Sequence, residues 1–169
     1  MKFTLLSTLA VLLLMNGSLW AQDSTLIQFE LKDQFGRDYD ETSFENKIII
    51  LLGADRKGSQ YTDLWGPTLA DSLRQRGIID SVEFVALADL RAVPGLMRGI
   101  VKGYFPDAKD KWVLMDWRGV FPQAYDFVDD SCNLLIFDPQ QRLMFQQAVT
   151  DYDPRVAKQV LRAVQRALQ

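Results

Sequence analysis

The chain has no histidine and a single cysteine, Cys132. Without imidazole there is no Ser-His-Asp or Cys-His relay, no histidine general base, and no His-based zinc or iron site. One thiol does not build a thiolate cage for zinc or for an iron–sulfur cluster. The carboxylates follow no EF-hand spacing, so a protein free of metal and cofactor is expected. Basic clusters are missing too. Lys and Arg are scattered, the densest run is Arg56-Lys57, and the net charge is −3. That excludes the clustered basic patch a nucleic-acid surface needs. No internal repeat, low-complexity tract or long linker divides the chain.

What is present fits one globular domain. The 169 residues, 48% apolar and 24% charged, are enough to bury a substantial core. The N-terminus is of a different kind. Lys2 is followed by a nearly unbroken apolar run from Phe3 to Met15, then by Gly17-Ser-Leu-Trp-Ala21. This is the order of a secretory signal cleaved after Ala21, and the run is short for a membrane span. Residues 1–21 are therefore expected to leave a mature domain of residues 22–169. Its charge is −3 less the +1 of Lys2, or −4. Leu19 is bulky for its place before the cleavage point, which keeps an uncleaved anchor as the alternative. The compact signal, the lack of paired cysteines and the lack of an Asn-x-Ser/Thr acceptor after Ala21 favour a periplasmic location, with no stable membrane insertion after cleavage.

Hydrophobic spacing orders the mature chain. Residues 25–32 alternate like a half-buried strand, and Asp33-Gln-Phe-Gly36 turns the chain. Arg37 to Asn46 reads as a polar connection. Ile48 to Leu52 is an uninterrupted apolar run, the mark of a central strand covered on both faces. A helix is predicted from Ser59 to Gly77, with Tyr61, Leu64, Trp65, Leu69 and Leu73 on one face and a kink at Gly66-Pro67. Residues 82–90 form the next strand. Pro94 to Tyr104 reads as a short helix burying Leu96, Met97, Ile100, Val101 and Tyr104. Residues 111–116 and 133–137 are strands, the second joined by Asp138–Arg142 to an antiparallel partner over 143–149. Asp153-Pro154 starts a last helix striped by Val156, Val160, Leu161, Val164 and Leu168. This order predicts an α/β sandwich, a mixed central sheet with helices on both faces.

Four segments carry a family likeness: Phe29–Asp33 with Phe35-Gly36, Phe44–Lys47 leading into Ile48–Leu52, Leu114–Asp116 with Gly119, and Cys132–Asp138. On these the chain resembles the thioredoxin-like superfamily, and within it the redoxin branch of peroxiredoxins and periplasmic thiol–disulfide proteins. The resemblance runs from about Ile27 to the C-terminus and implies a thioredoxin-like three-layer sandwich. It also implies what has been lost. The two family cysteines fall on Gly58 and Tyr61, within Gly-Ser-Gln-Tyr, and the family's cis-proline falls on Cys132. The peroxiredoxin Pro-x-x-x-Thr-x-x-Cys motif is absent. Dithiol exchange needs one sulfur to attack and another to resolve.

The expected function is accordingly a redox-inactive binding or accessory protein of the cell envelope, with another envelope protein or peptide as partner. The candidate surface is Arg56, Lys57, Gly58, Ser59, Gln60, Tyr61 and Cys132. The alternative is a single-cysteine oxidoreductase or peroxidase using Cys132. Against that, Asp129 and Asp130 stand just upstream, no cation lies within nine residues, and nearby carboxylates suppress thiolate. A third reading makes the aromatic surface of Tyr61 and Trp65 an oligomer contact of an assembly subunit, although their helical spacing fits packing against the sheet, the favoured reading for Trp65. Asp55-Arg56-Lys57 before a helix start is a candidate anion site, though solvated loop charge explains it as well. Asp129-Asp130 and Asp151/Asp153 are read as surface carboxylates, and Trp112 and Trp117 as core and rim.

Overall fold

The computed structural model describes residues 24–169. The expected signal segment lies outside the described residues. Seven strands form one sheet in the order β2-β1-β5-β4-β3-β6-β7. They are β1 Glu30–Asp33, β2 Asp38–Asp40, β3 Ile48–Ala54, β4 Val82–Asp89, β5 Val113–Asp116, β6 Cys132–Phe137 and β7 Leu143–Val149. β3, β4 and β5 are parallel, and β6 runs antiparallel beside β3. Helices α1 (Ser59–Gln75), α2 (Arg98–Lys102), α3 (Val120–Ala124) and α4 (Pro154–Ala167) complete the mixed α/β architecture.

β3 is central because every one of its side chains is apolar and buried. Its alternation splits the core in two. Ile48, Ile50 and Leu52 face α1 and α4, meeting Trp65, Leu69, Leu73, Val160 and Val164. Each such side chain, once fully buried, contributes about 1.5–3 kcal/mol. Ile49 and Leu51 face the other way, toward Leu26, Phe29, Phe44, Phe121, Tyr125 and Phe137. α1 runs unbroken through Pro67, and Leu64, expected on its inner face, is exposed. α4 starts where the sequence predicts, with Pro154 in its first turn and the Asp153 carboxylate accepting from the Arg155 amide.

The second face is closed by the N-terminal stretch rather than by long helices. Residues 25–29 were expected in a strand, but their amides find other partners. The Ile27 amide donates to the Tyr125 hydroxyl at 2.9 Å, and that hydroxyl donates to the Thr25 carbonyl. The expected polar connection instead holds β2 and a 3-10 turn, Glu41–Phe44, capped by Asp40. Tyr39 of β2 stacks on Trp112, ring centroids 4.7 Å apart, which puts Trp112 against Phe44 as well.

Both hairpins close in the same way. Asp33 is buried and accepts from the amides of Phe35 and Arg37 and, at 2.6 Å, from the Arg37 guanidinium. Asp138 repeats this with the amides of Gln140 and Arg142 and the Arg142 guanidinium at 2.7 Å. A left-handed residue completes each turn: Gly36 at φ 84° and Gln141 at φ 63°.

The 94–104 segment departs furthest from expectation. The 94–104 helix shrinks to five residues, and its supposed inner face points to solvent: Leu96 is 98% exposed, Tyr104 81% and Ile100 55%. Gly95, Gly99 and Gly103 recur every fourth residue, which weakens the helix and strips side chains from one flank. The matching strand face is half-open. In β4, Phe84, Ala86 and Ala88 are half-buried while Val85, Leu87 and Asp89 are buried. The crossover to β5 therefore passes beside the sheet as an arm without sealing it.

Candidate functional site

The C-terminal end of β3 is where the sequence placed the site, and three segments converge there. The loop 55–58 joins β3 to α1, the loop 126–131 leads into β6, and the arm begins after β4. Asp55 fastens the first two. Its carboxylate accepts from the Gly58 amide at 2.7 Å and from the Asp130 amide at 2.9 Å. Burial opposes its ionisation, but the amides of Asp130, Gly58 and Lys57, helped by the Lys57 charge, outweigh burial and hold its carboxyl below the usual range. The Gly58 amide at the head of α1 is thus turned onto the chain's own carboxylate and the Ser59 amide onto the Asp55 carbonyl, so neither is free for an outside anion.

Gly58 is buried and caps α1. A Cβ built on it would stand 2.3 Å from the Ser131 carbonyl oxygen and 2.8 Å from the Ser131 amide nitrogen. The backbone of the loop thus occupies the space where a side chain at this position would begin. Gly53, one residue before the end of β3, tells the same story: its Cβ would stand 2.3 Å from the Phe127 ring. Asn133 secures the loop from beneath. Its amide group donates to the carbonyls of Gly53 and Val128, and its oxygen accepts from the Val128 amide at 2.8 Å.

The remaining candidates are distributed unevenly. Arg56, Lys57, Ser59 and Gln60 are exposed, and Tyr61 is half-buried against the α1 side of the core. Lys57 pairs with Asp130 at 3.0 Å, and the Ser59 and Gln60 side chains donate back to the carbonyls of Arg56 and Lys57. Trp65 is wholly buried, its indole N–H donating to the Thr150 carbonyl at 3.1 Å. It offers no oligomer contact.

Cys132 follows Ser131, whose backbone meets Gly58, but does not join the surface. It is fully buried in the α1/α4 core, and the peptide before it is trans. Burial pushes its thiol up to about 12, so at neutral pH it is a small apolar side chain. The cause differs from the one expected. Asp129 and Asp130 are turned away, Asp129 to Arg91 at 2.5 Å and Asp130 to Lys57.

Arg91 is a residue the sequence did not single out. Its guanidinium bridges Asp129 and the nearly buried Asp89, at 3.0 Å, and so ties the root of the arm to the loop 126–131. Burial raises the Asp89 carboxyl above the ordinary range despite that partner. Further along the arm, Arg98 lies over the Trp117 ring, 5.2 Å from its centre. The available signal was the glycine pair, Gly53 and Gly58, flanking one loop, since glycine often marks close backbone approach.

No family profile matches the chain, and no curated protein matches it in sequence. Solved structures do match in shape. One is the pneumococcal exposed lipoprotein thioredoxin of Streptococcus pneumoniae, with 16% identity, 83% of this chain and 99% of that one covered, and a TM-score of 0.59. Another is a putative thiol:disulfide interchange protein DsbE of Chlorobium tepidum, at 13% identity, 87% and 97% coverage, and 0.60. A third is a SCO1/SenC family lipoprotein of Bacillus anthracis, at 10% identity, 88% and 97% coverage, and 0.61. The fold is thioredoxin-like, carried by a chain with one cysteine.

Proposed function

We propose that this protein is an exported thioredoxin-like protein that has exchanged dithiol chemistry for binding, and that it serves as an accessory protein of the cell envelope. The observation that carries the reading is the closure over Gly58. Where the resemblance places an attacking sulfur, the Ser131 carbonyl already fills the space, and Cys132 is the only thiol in the sequence. The inaccessible, weakly acidic Cys132 supports the same reading over a one-cysteine oxidoreductase.

The surface proposed for the partner is the exposed rim Arg56, Lys57, Ser59 and Gln60 with Tyr61, continued by the arm that leaves the same end of the sheet. Leu96, Ile100 and Tyr104 on the arm supply the apolar area that an isolated chain rarely exposes in one short stretch. An envelope protein or peptide is the proposed partner. The envelope location is supported by the signal-like N-terminus and by lipoproteins among the structural neighbours.

Two measurements test this. The purified chain is expected to reduce insulin no faster than buffer at equal reductant, and turnover above that rate overturns the redox-inactive reading. A photo-crosslinker placed at Gln60 or at Tyr104 is expected to trap one and the same envelope protein, while one at Glu45 traps none. Absence of any shared adduct from the two positions overturns the proposed surface.

A further inference from the structure

The cations that look scattered along the sequence are gathered by the fold. A trough of about 490 Å³ runs between the outer sides of α1 and α4, lined in part by Arg76, Tyr152, Lys158, Arg162 and Gln165. No carboxylate side chain lines it, in a protein whose net charge is negative. Arg76, Lys158 and Arg162 form no ion pair among the described residues, whereas neighbouring Arg74 and Arg155 are matched to Asp71 and Asp153. From Pro154 to the C-terminus there is no acidic side chain at all. The helix dipole accounts for Arg76, close to the end of α1, but not for Lys158 and Arg162, which sit mid-helix. Beneath the charges lie Pro154, Ala157 and Leu161, an apolar floor, with Tyr152 at its edge.

We propose that this trough binds an extended, carboxylate-rich peptide segment of a partner protein. The shape selects an extended chain over a compact anion. Pro154 to Gln165 spans eleven helical steps, about 16 Å. An extended segment of about five residues covers that length. Its alternate residues can meet the cations and the apolar floor in turn, in the manner of acidic-motif recognition by basic clusters. A compact anion would call for converging backbone donors, and the Arg155 amide at the head of α4 is already held by Asp153. A bilayer is flat where this surface is concave. The trough shares no residue with the loop 55–61 or the arm, so it goes beyond the function proposed above and stands or falls separately.

The test uses the mature protein and a fluorescein-labelled decapeptide of alternating Glu and Leu, read by fluorescence anisotropy. Binding is expected, weakening at least tenfold between 50 mM and 300 mM salt and at least tenfold in the K158E/R162E double variant. The K109E/K111E double variant, in the exposed connection leading to β5, serves as the matched charge change and is expected to bind like wild type. Thermal melts confirm that each variant is folded. A second probe, Arg76→Gln alone, is expected to weaken binding severalfold and keeps the test valid if the double variant unfolds. Equal binding by wild type and trough variants overturns the proposal, as does no binding at all. Displacement by inorganic phosphate at the concentration of free Glu-Leu peptide that displaces the probe overturns the extended-chain assignment. Sedimentation with anionic vesicles that depends on the same cations, without peptide binding, overturns it in favour of a lipid surface.

Discussion

The Ser131 carbonyl oxygen sits where the side chain of residue 58 would begin, so Gly58 and Ser131 are fitted to each other backbone to backbone. Restoring a family cysteine here is therefore an overpacking mutation before it is a redox one. Gly58→Cys is expected to lower stability by about 2–3 kcal/mol. The double change Gly58→Cys with Tyr61→Cys is expected to gain no insulin-reducing activity. Urea midpoints check the first outcome; a variant as stable as wild type would mean that the loop moves aside easily.

Cys132 gives a pH prediction. The folded thiol is raised to about 12 from an ordinary 9.0, so the native state holds its proton more tightly than the unfolded chain. Its stability contribution is whole below pH 9 and is lost as pH climbs from 9 toward 12. Relative to Cys132→Ala, wild type is expected to lose about 1.4 kcal/mol between pH 8 and pH 10, one pKa unit of proton linkage. Tyr125, also raised to about 12 by burial, is common to both proteins and cancels in the difference. Denaturation curves at the two pH values provide the check. Parallel slopes for the two proteins would show that the thiol is less enclosed than its position indicates.

The second hairpin makes a residue-specific forecast. Gln141 occupies a left-handed position, and its side chain donates to the Glu41 carbonyl at 2.7 Å. Both Gln141→Ala and Gln141→Gly remove that bond, so comparing them isolates the backbone. The glycine variant is expected to be the more stable by about 1 kcal/mol. Thermal melting decides it.

The arm is expected to be energetically silent in the isolated protein. Leu96→Ser and Ile100→Ser should each change stability by no more than about 0.5 kcal/mol, as surface substitutions do. Leu69→Ala, on the inner side of α1, should cost about 2–5 kcal/mol. A large loss at Leu96 would mean that it packs against something within the fold.

The contrast between Leu69 and Leu96 also marks how far the sequence could be read. β3, β6, α1 and α4 were legible because a long or unbroken apolar pattern admits one arrangement in a layered fold. The arm has helical spacing too, but periodicity names a face without naming what covers it, and three glycines at every fourth position undercut that helix. β2 was missed because three residues, two of them Asp, carry no pattern. Gly58 stands at the head of α1, where the resemblance puts the first family cysteine. Its partner was not legible, since residues 58 and 131 are brought together only when β6 inserts beside β3. The burial of Cys132 follows from the same event: as the first residue of β6, it points to the α1 side, a parity that its sequence neighbours do not disclose. Arg76 and Arg162 are likewise neighbours only across two helices.

The two Asp-to-Arg turns carry an architectural implication. Each is completed within five residues, and the second lies at the opposite end of β6 from the Gly58 closure. Such turns are self-contained and should transplant into other antiparallel pairs with little adjustment. The loop 126–131 is the reverse case: it is cut to the outline of two glycines and one asparagine on other segments. Grafting a foreign sequence there would demand redesign of its seat, so any new specificity is more easily engineered on the arm.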